Sequence, residues 1–200
     1  MARSSGIRCQ PLGLVYVRNF LAGNHHDQLC SFVASLEYGD VVMHGQAAKR
    51  QTVHYGFLYG YESWQLQPGP PIPQELEGLR RRCAELAGMA PPDLDEALVT
   101  RYPPGAGIGW HRDAPMFGGK VIGVSLLSES RMRFQRSVGG ERYVWDQTLE
   151  PASAYVLQDE VRWAWQHSIP AVRSLRYSIT FRSVKDPDRW RSEAFSPAAH

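Results

Sequence analysis

Leu175-Arg-Tyr-Ser-Ile-Thr-Phe-Arg182 is the stretch on which the fold turns. Successive side chains of an extended chain point to opposite faces. Arg176, Ser178, Thr180 and Arg182 therefore share one face, and Leu175, Tyr177, Ile179 and Phe181 share the other. Such period-2 alternation predicts a β-strand. Two readings of the arginine face stay open. On a half-buried strand it is the outer, solvated face, and alternation by itself favours that reading. If both faces are covered, the arginines must meet an anion, because an unpaired buried guanidinium costs several kcal/mol. A small dicarboxylate would serve.

Working outward, the second half of the chain reads as short strands separated by turns: Leu98 to Tyr102, Lys120 to Leu127, Arg131 to Gln135, Arg142 to Trp145, Ala154 to Leu157 and Ser174 to Arg182. Many short strands predict a sandwich or barrel. The first half differs. Leu12 to Val17 reads as an early strand, and Asn24 to Asp27 offer capping side chains ahead of Leu29, Phe32, Val33 and Leu36 at helical spacing. A second helix follows Pro71 and Pro73, with Leu76, Leu79, Cys83 and Leu86 on one face and Gly88 near its end. Between the helices, Tyr55-Gly-Phe-Leu-Tyr-Gly-Tyr61, Trp64 and Pro68-Gly-Pro-Pro71 are aromatic and punctuated by breakers, which predicts a hairpin or lid. The expected fold is α+β: a jelly-roll core over about 97–184, helices packed outside it, and a lid over about 45–75, all in one domain of 200 residues. Asp186 to His200 is polar and is expected to be loosely ordered.

Charge and cysteine usage narrow the function classes. Lys+Arg of 22 against Asp+Glu of 20 gives a net charge of +2, far from a protein that binds nucleic acid by bulk charge. Any such contact must be local. Lysine occurs only at Lys49, Lys120 and Lys185, so the positive charge is almost all arginine, which suits bidentate recognition of carboxylate or phosphate. Cys9, Cys30 and Cys83 are odd in number and widely spaced, so neither a disulfide framework nor a zinc knuckle is indicated. With no apolar signal core after Met1 and no run of membrane-spanning length, a soluble cytoplasmic protein is expected, and a monomer.

In Gly109-Trp-His-Arg-Asp113 an extended backbone sends His111 and Asp113 to one side and Arg112 away. Chance supplies a His-x-Asp pair often, so the motif needs partners. His167, in Trp163-Ala-Trp-Gln-His167, is by itself more often a core or surface histidine than a ligand. Order and spacing add weight: His-x-Asp after a glycine-rich approach, a distant second histidine, then the arginine strand. Two histidines and one carboxylate on one side of a metal leave open positions, a geometry that suits a non-haem Fe(II) oxygenase. No cysteine is placed to close a zinc site.

At these residues the chain resembles the AlkB family of Fe(II)- and 2-oxoglutarate-dependent dioxygenases, over roughly Thr52 to Val184. The resemblance rests on Arg101-Tyr-Pro-Pro-Gly-Ala-Gly-Ile-Gly-Trp-His-Arg-Asp113, Val124-Ser-Leu126, His167 and Arg176-Tyr-Ser-Ile-Thr-Phe-Arg182, with Gly56-Phe-Leu-Tyr59 similar to the family's nucleotide-lid motif. It implies a double-stranded β-helix with iron on His111, Asp113 and His167. It further implies 2-oxoglutarate bound through Arg176, with Tyr102, Thr100, Ser178 and Arg182 around it, Arg182 also shaping the catalytic site. The implied reaction uses dioxygen and 2-oxoglutarate to dealkylate N-alkylated bases of single- or double-stranded DNA or RNA, releasing formaldehyde, succinate and carbon dioxide. Phe57 and Tyr59 match lid aromatics that flank an extracted base, and Arg136, with Arg131 and Arg133, is a candidate phosphate contact.

The chain also departs from the family pattern. Thr100 stands where many members have an asparagine, and Pro115 where repair members often carry an acidic residue that reads the base. Gln158 stands where the bacterial prototype has a tryptophan, and the loop from His167 to Arg176 is shorter. Pro115 and the near-neutral charge motivate a second reading, the same iron chemistry on a protein or small molecule. A third is a non-catalytic jelly-roll binding module.

Overall fold

The computed structural model describes residues 6–43, 45–60 and 65–193. In chain order the strands are β1 (Ile7–Arg8), β2 (Leu14–Val17), β3 (Gly39–Met43), β4 (Gln46–Tyr55), β5 (Phe57–Tyr59), β6 (Leu66–Pro68), β7 (Glu96–Tyr102), β8 (Ile108–His111), β9 (Phe117–Leu126), β10 (Ser130–Val138), β11 (Glu141–Leu149), β12 (Ala154–Leu157), β13 (Gln166–Ile169) and β14 (Arg176–Val184). The helices are α1 (Gly23–Ala34), α2 (Gln74–Ala87), α3 (Asp159–Trp163) and α4 (Pro187–Glu193). No helix is long and apolar enough to cross a membrane among the described residues.

Seven strands form the larger sheet in the order β2-β12-β9-β14-β7-β4-β3, and five form the smaller one in the order β1-β11-β10-β13-β8. The arginine strand is β14. It lies inside the larger sheet, antiparallel to β9 on one side and β7 on the other. Its apolar face, Tyr177, Ile179 and Phe181, joins Val99 of β7, Val124 of β9 and Val156 of β12 under α1 and α2, which contribute Leu29, Val33, Leu76, Leu79 and Cys83. Each fully buried side chain of this kind contributes about 1.5–3 kcal/mol. The opposite face of the sheet looks onto the smaller sheet, where Val121, Tyr155 and Leu157 meet Met132, Phe134 and Ile169. Two facing sheets with helices outside one of them give the jelly-roll architecture expected from the strand pattern.

The predicted helices form, with local differences. Gly88 ends α2 in the left-handed conformation (φ 60°), where a glycine has no Cβ to clash. No side chain caps α1, which begins after Ala22 rather than on a capping Asn24. Several boundaries move. Residues 46–55, assigned to the lid from their composition, are the ten-residue β4, hydrogen-bonded to β7 within the larger sheet. The pair β5-β6 remains as a small separate hairpin, and Tyr61 and Trp64 lie outside the described residues. Residues 187–193, expected to be loose, form α4. His167 lies within a strand, β13, that Trp and Gln neighbours had concealed as a pattern.

Candidate active site

The two sheets enclose a cavity of about 340 Å³. Strand alternation delivers its lining: Leu98, Thr100 and Tyr102 from β7, Arg176, Ser178, Thr180 and Arg182 from β14, Tyr155 and Leu157 from β12, and Met132, His167 and Ile169 from the smaller sheet. The arginine face of β14 is thus an inner face. Arg176 is 1% exposed and Arg182 6%, which removes the solvated-face reading.

β8 and β13 are paired so that His111 and His167 are register partners. Their ring centroids are 4.3 Å apart, and His167 Nε2 is 3.6 Å from Asp113 Oδ2. Residues as far as 56 positions apart in the chain are thereby brought together. His111 Nδ1 lies 2.9 Å from the Gly109 carbonyl. A carbonyl can only accept, so Nδ1 carries the proton and Nε2 keeps its lone pair for a ligand, the arrangement in which an outer partner fixes a metal-binding imidazole. Burial pushes His167 down to about 3, reinforced by His111, so it is neutral near pH 7. Burial works the other way on Asp113, but His167, Arg182, His111 and Arg162 outweigh it and hold the carboxyl at about 2. The two imidazoles, with the ionised carboxylate of Asp113, form a donor set that fits Fe(II) with open positions.

Arg176 fills the cavity floor. Its Nη2 donates to Ser125 Oγ at 2.9 Å, and its guanidinium carbon lies 5.0 Å from the centre of the Tyr102 ring. Nε and Nη1 are buried without a hydrogen-bond partner among the described residues. Two unmet buried donors match a carboxylate in number, so the floor fits one end of a dicarboxylate. Tyr155 stands beside this floor. Its ring crosses Gly123 on the neighbouring strand so closely that a Cβ there would come within 2.1 Å of Tyr155 Cζ, a close approach only glycine permits.

Three residues of the site escaped sequence reasoning. Glu96 is wholly buried opposite Arg182 in the β7–β14 register; a glutamate opening an otherwise apolar run was the available signal. Arg162 of α3 is 2% exposed, lies over the Trp163 ring and donates to backbone oxygens. It donates to the carbonyls of Gly118 (3.0 Å), Asp113 (3.1 Å), Ala114 (3.0 Å) and Phe117 (3.2 Å), pinning the segment that carries Asp113. Arg50 of β4 lines the cavity at 6% exposure. Neither arginine had a local signature.

Two predicted substrate residues lie elsewhere. Phe57 is 1% exposed and packs with Leu66, Phe117 and Val184. A ring committed to that cluster offers no face to a base. Arg136 pairs with Glu160 at 2.7 Å and lies over the Trp165 ring, outside the cavity, so its charge is already met. Tyr59 does line the cavity, edge-on to Phe117 at 5.9 Å. Trp110 and Arg112 form more of the lining.

The sequence profile of the 2OG-Fe(II) oxygenase superfamily matches residues 13–182. The chain is similar to the tRNA (carboxymethyluridine(34)-5-O)-methyltransferase alkbh8 of Xenopus tropicalis, 28% identical over 80% of this chain but only 25% of that protein. It thus spans a quarter of that relative's length. It is also similar to the alpha-ketoglutarate-dependent dioxygenase AlkB of Escherichia coli K12, 28% identical over 66% of each chain. Among solved structures, OsALKBH1 superposes with a TM-score of 0.67, covering 88% of this chain and 98% of that one at 16% identity, a likeness of fold. With the profile spanning most of its length and AlkB proteins among its relatives, the chain belongs to the 2OG-Fe(II) oxygenase superfamily, as an AlkB-type dioxygenase that uses Fe(II), 2-oxoglutarate and O2.

Proposed function

We propose that this protein oxidatively dealkylates N-alkylated bases of DNA or RNA, with iron held by His111, Asp113 and His167 and 2-oxoglutarate held by Arg176. The observation that carries the reading is the meeting, in one cavity, of that donor set and a buried guanidinium with two unmet donors. Bound there with 2-oxoglutarate and dioxygen, iron supplies oxidation of an N-alkyl carbon, so that a methyl group leaves as formaldehyde while the co-substrate becomes succinate and carbon dioxide.

The chain's own residues do the holding and orienting. Arg176 receives the far carboxylate, with Tyr102 packed against its guanidinium and Ser125 fixing its third nitrogen. Thr100 and Ser178, both buried and cavity-lining, add hydroxyls along the co-substrate's path. Arg182 donates to Asp113 Oδ1 at 3.0 Å, which leaves Oδ2 on the His167 side as the oxygen for iron. The apolar walls, Val121, Met132, Leu157 and Ile169, exclude water.

The substrate side rests on the aromatic residues of the lining and on the relatives. Tyr59 and Trp110 supply surfaces on which an unstacked base can rest, and Arg112, exposed beside them, is a local cation for a phosphate. Membership in a dioxygenase superfamily sets aside the non-catalytic module. Methylated single-stranded DNA and RNA, offered with Fe(II) and 2-oxoglutarate, should release formaldehyde and succinate in equal amounts. Succinate formation with a protein or small-molecule substrate, and none with any methylated oligonucleotide of a broad panel, would replace this reading with the second one.

A further inference from the structure

The buried charges behind the metal donors form a chain that the reaction itself does not require. Glu96 is 0% exposed, and Ala97 after it and Leu94 two residues before it are apolar and equally buried. Arg182 donates to it twice, from Nε to Oε2 at 2.7 Å and from Nη2 to Oε1 at 2.6 Å. The third nitrogen, Nη1, donates to Asp113 Oδ1 at 3.0 Å. Phe117 covers the guanidinium, its ring centre 3.7 Å from Cζ, and His54 Nδ1 stands 3.4 Å from Glu96 Oε1. One guanidinium is therefore shared between two carboxylates, and the sharing is unequal. Glu96 takes the two-donor edge and Asp113 a single donor.

We propose that Glu96 is a positioning residue for the metal centre, holding Arg182 so that it touches one oxygen of Asp113 and leaves the other for the ion. The proposal rests on the reading of Asp113 as a metal ligand. A bidentate arginine–carboxylate pair is the geometry a guanidinium prefers. In a dry site it forms with whichever carboxylate is nearest, because buried donors left unmet are costly. With Glu96 in place that preference is satisfied away from the metal. Without its charge, the two-donor edge of Arg182 loses its anion, and the nearest remaining carboxylate is Asp113. A guanidinium turned onto both oxygens of Asp113 competes directly with a cation for the same lone pairs. Arg182 is then an inhibitor of metal binding rather than a clamp, and Glu96 decides which of the two it is.

The test measures metal affinity without turnover. Co(II), titrated anaerobically and followed by its visible absorption, is compared in wild type, Glu96→Gln and the double variant Glu96→Gln/Arg182→Met. Glu96→Gln should weaken Co(II) binding at least tenfold, and the double variant, which has no guanidinium to compete, should return to within threefold of wild type. A purely structural role for Glu96 predicts lower thermal stability in both variants with Co(II) affinity unchanged. The proposal is overturned if Glu96→Gln binds within twofold of wild type, or if the double variant binds as weakly as the single one. Should Glu96→Gln not fold, Glu96→Asp keeps the charge at shorter reach and should bind several-fold more weakly with an unchanged circular dichroism spectrum; equal binding there counts equally against it. Failure of wild type to bind Co(II) would instead remove the metal reading itself, and an absence of nucleic-acid turnover would leave all these affinities as stated.

Discussion

On one side of β14, Ile179 and Phe181 are wholly buried beneath α1 and α2; on the other, Arg176 and Ser178 are 1% and 5% exposed. Burial is the same, yet what satisfies it differs. The outer face needs only area removed from water and close packing. The inner face needs a partner for each polar atom, and two donors of Arg176 have none among the described residues. A strand buried on both sides thus separates stability from function. The face satisfied within the chain holds the fold, and the face left partly unsatisfied defines what must bind.

The sharpest break of this comparison is Arg176→Met. It removes two charged hydrogen bonds to a carboxylate, about 1.5–3 kcal/mol each, so the KM for 2-oxoglutarate should rise about 100-fold or more. The melting temperature of the ligand-free protein should hold or rise, because an apolar chain of similar volume replaces an incompletely paired buried charge. Steady-state kinetics and a thermal melt read both quantities, and a KM near wild type would refute the assignment of Arg176. The converse is Phe181→Ala, on the opposite face of the same strand. It should cost about 3–5 kcal/mol, about 10 °C in a chain of this size, while the folded fraction keeps its affinity for 2-oxoglutarate within a few-fold. Selective loss of co-substrate affinity with unchanged melting would show that the two faces are not separable.

The smallest expected effect is on pH dependence. Glu96 is held below the usual carboxylate range, burial opposing and Arg182 with His54 prevailing; Asp113 is held at about 2, and His167 is pushed down to about 3. Each takes up a proton in the unfolded chain at a higher pH than in the folded one, so acid favours unfolding. Stability of the metal-free protein should be whole above about pH 6.5. It should fall from there as His167 protonates in the unfolded chain, and fall further below about pH 4 as the two carboxylates do. Melting temperature against pH checks this. Phe181→Ala should run parallel to wild type at lower temperature, whereas His167→Ala should fall less steeply between about pH 6.5 and 4, keeping only the part contributed by His25, which burial and Arg82 also push down. A wild-type curve flat over that range would contradict a buried, neutral His167.

Much of this was readable in advance. The alternation of residues 175–182 specified a strand and its two faces, and Gly88 marked the end of α2; His111 and Asp113 do line one cavity, but β8 ends at His111 and Arg112, expected to turn away, lines it too. The family resemblance supplied the ion and the co-substrate. What misled was local pattern without its surroundings. Aromatic residues and turn residues between the helices suggested a lid, but β4 within that span belongs to the larger sheet. Phe57 had the chemistry of a stacking residue and lies instead in a closed apolar cluster. The surplus of arginine suggested anion contacts at Arg136, which Glu160 already neutralises.

The amino-acid order by itself determined periodicity, hence which side chains share a face, because that follows from backbone geometry within a few residues. Only the tertiary structure decided which faces are covered and by what. It brought His167 to His111 across the β8–β13 pairing, set Glu96 opposite Arg182, and turned four donors of Arg162 onto the segment that carries Asp113. Those partners come from distant parts of the chain, and no local spacing encodes the solvent exclusion that makes an arginine face an anion site rather than a wet surface.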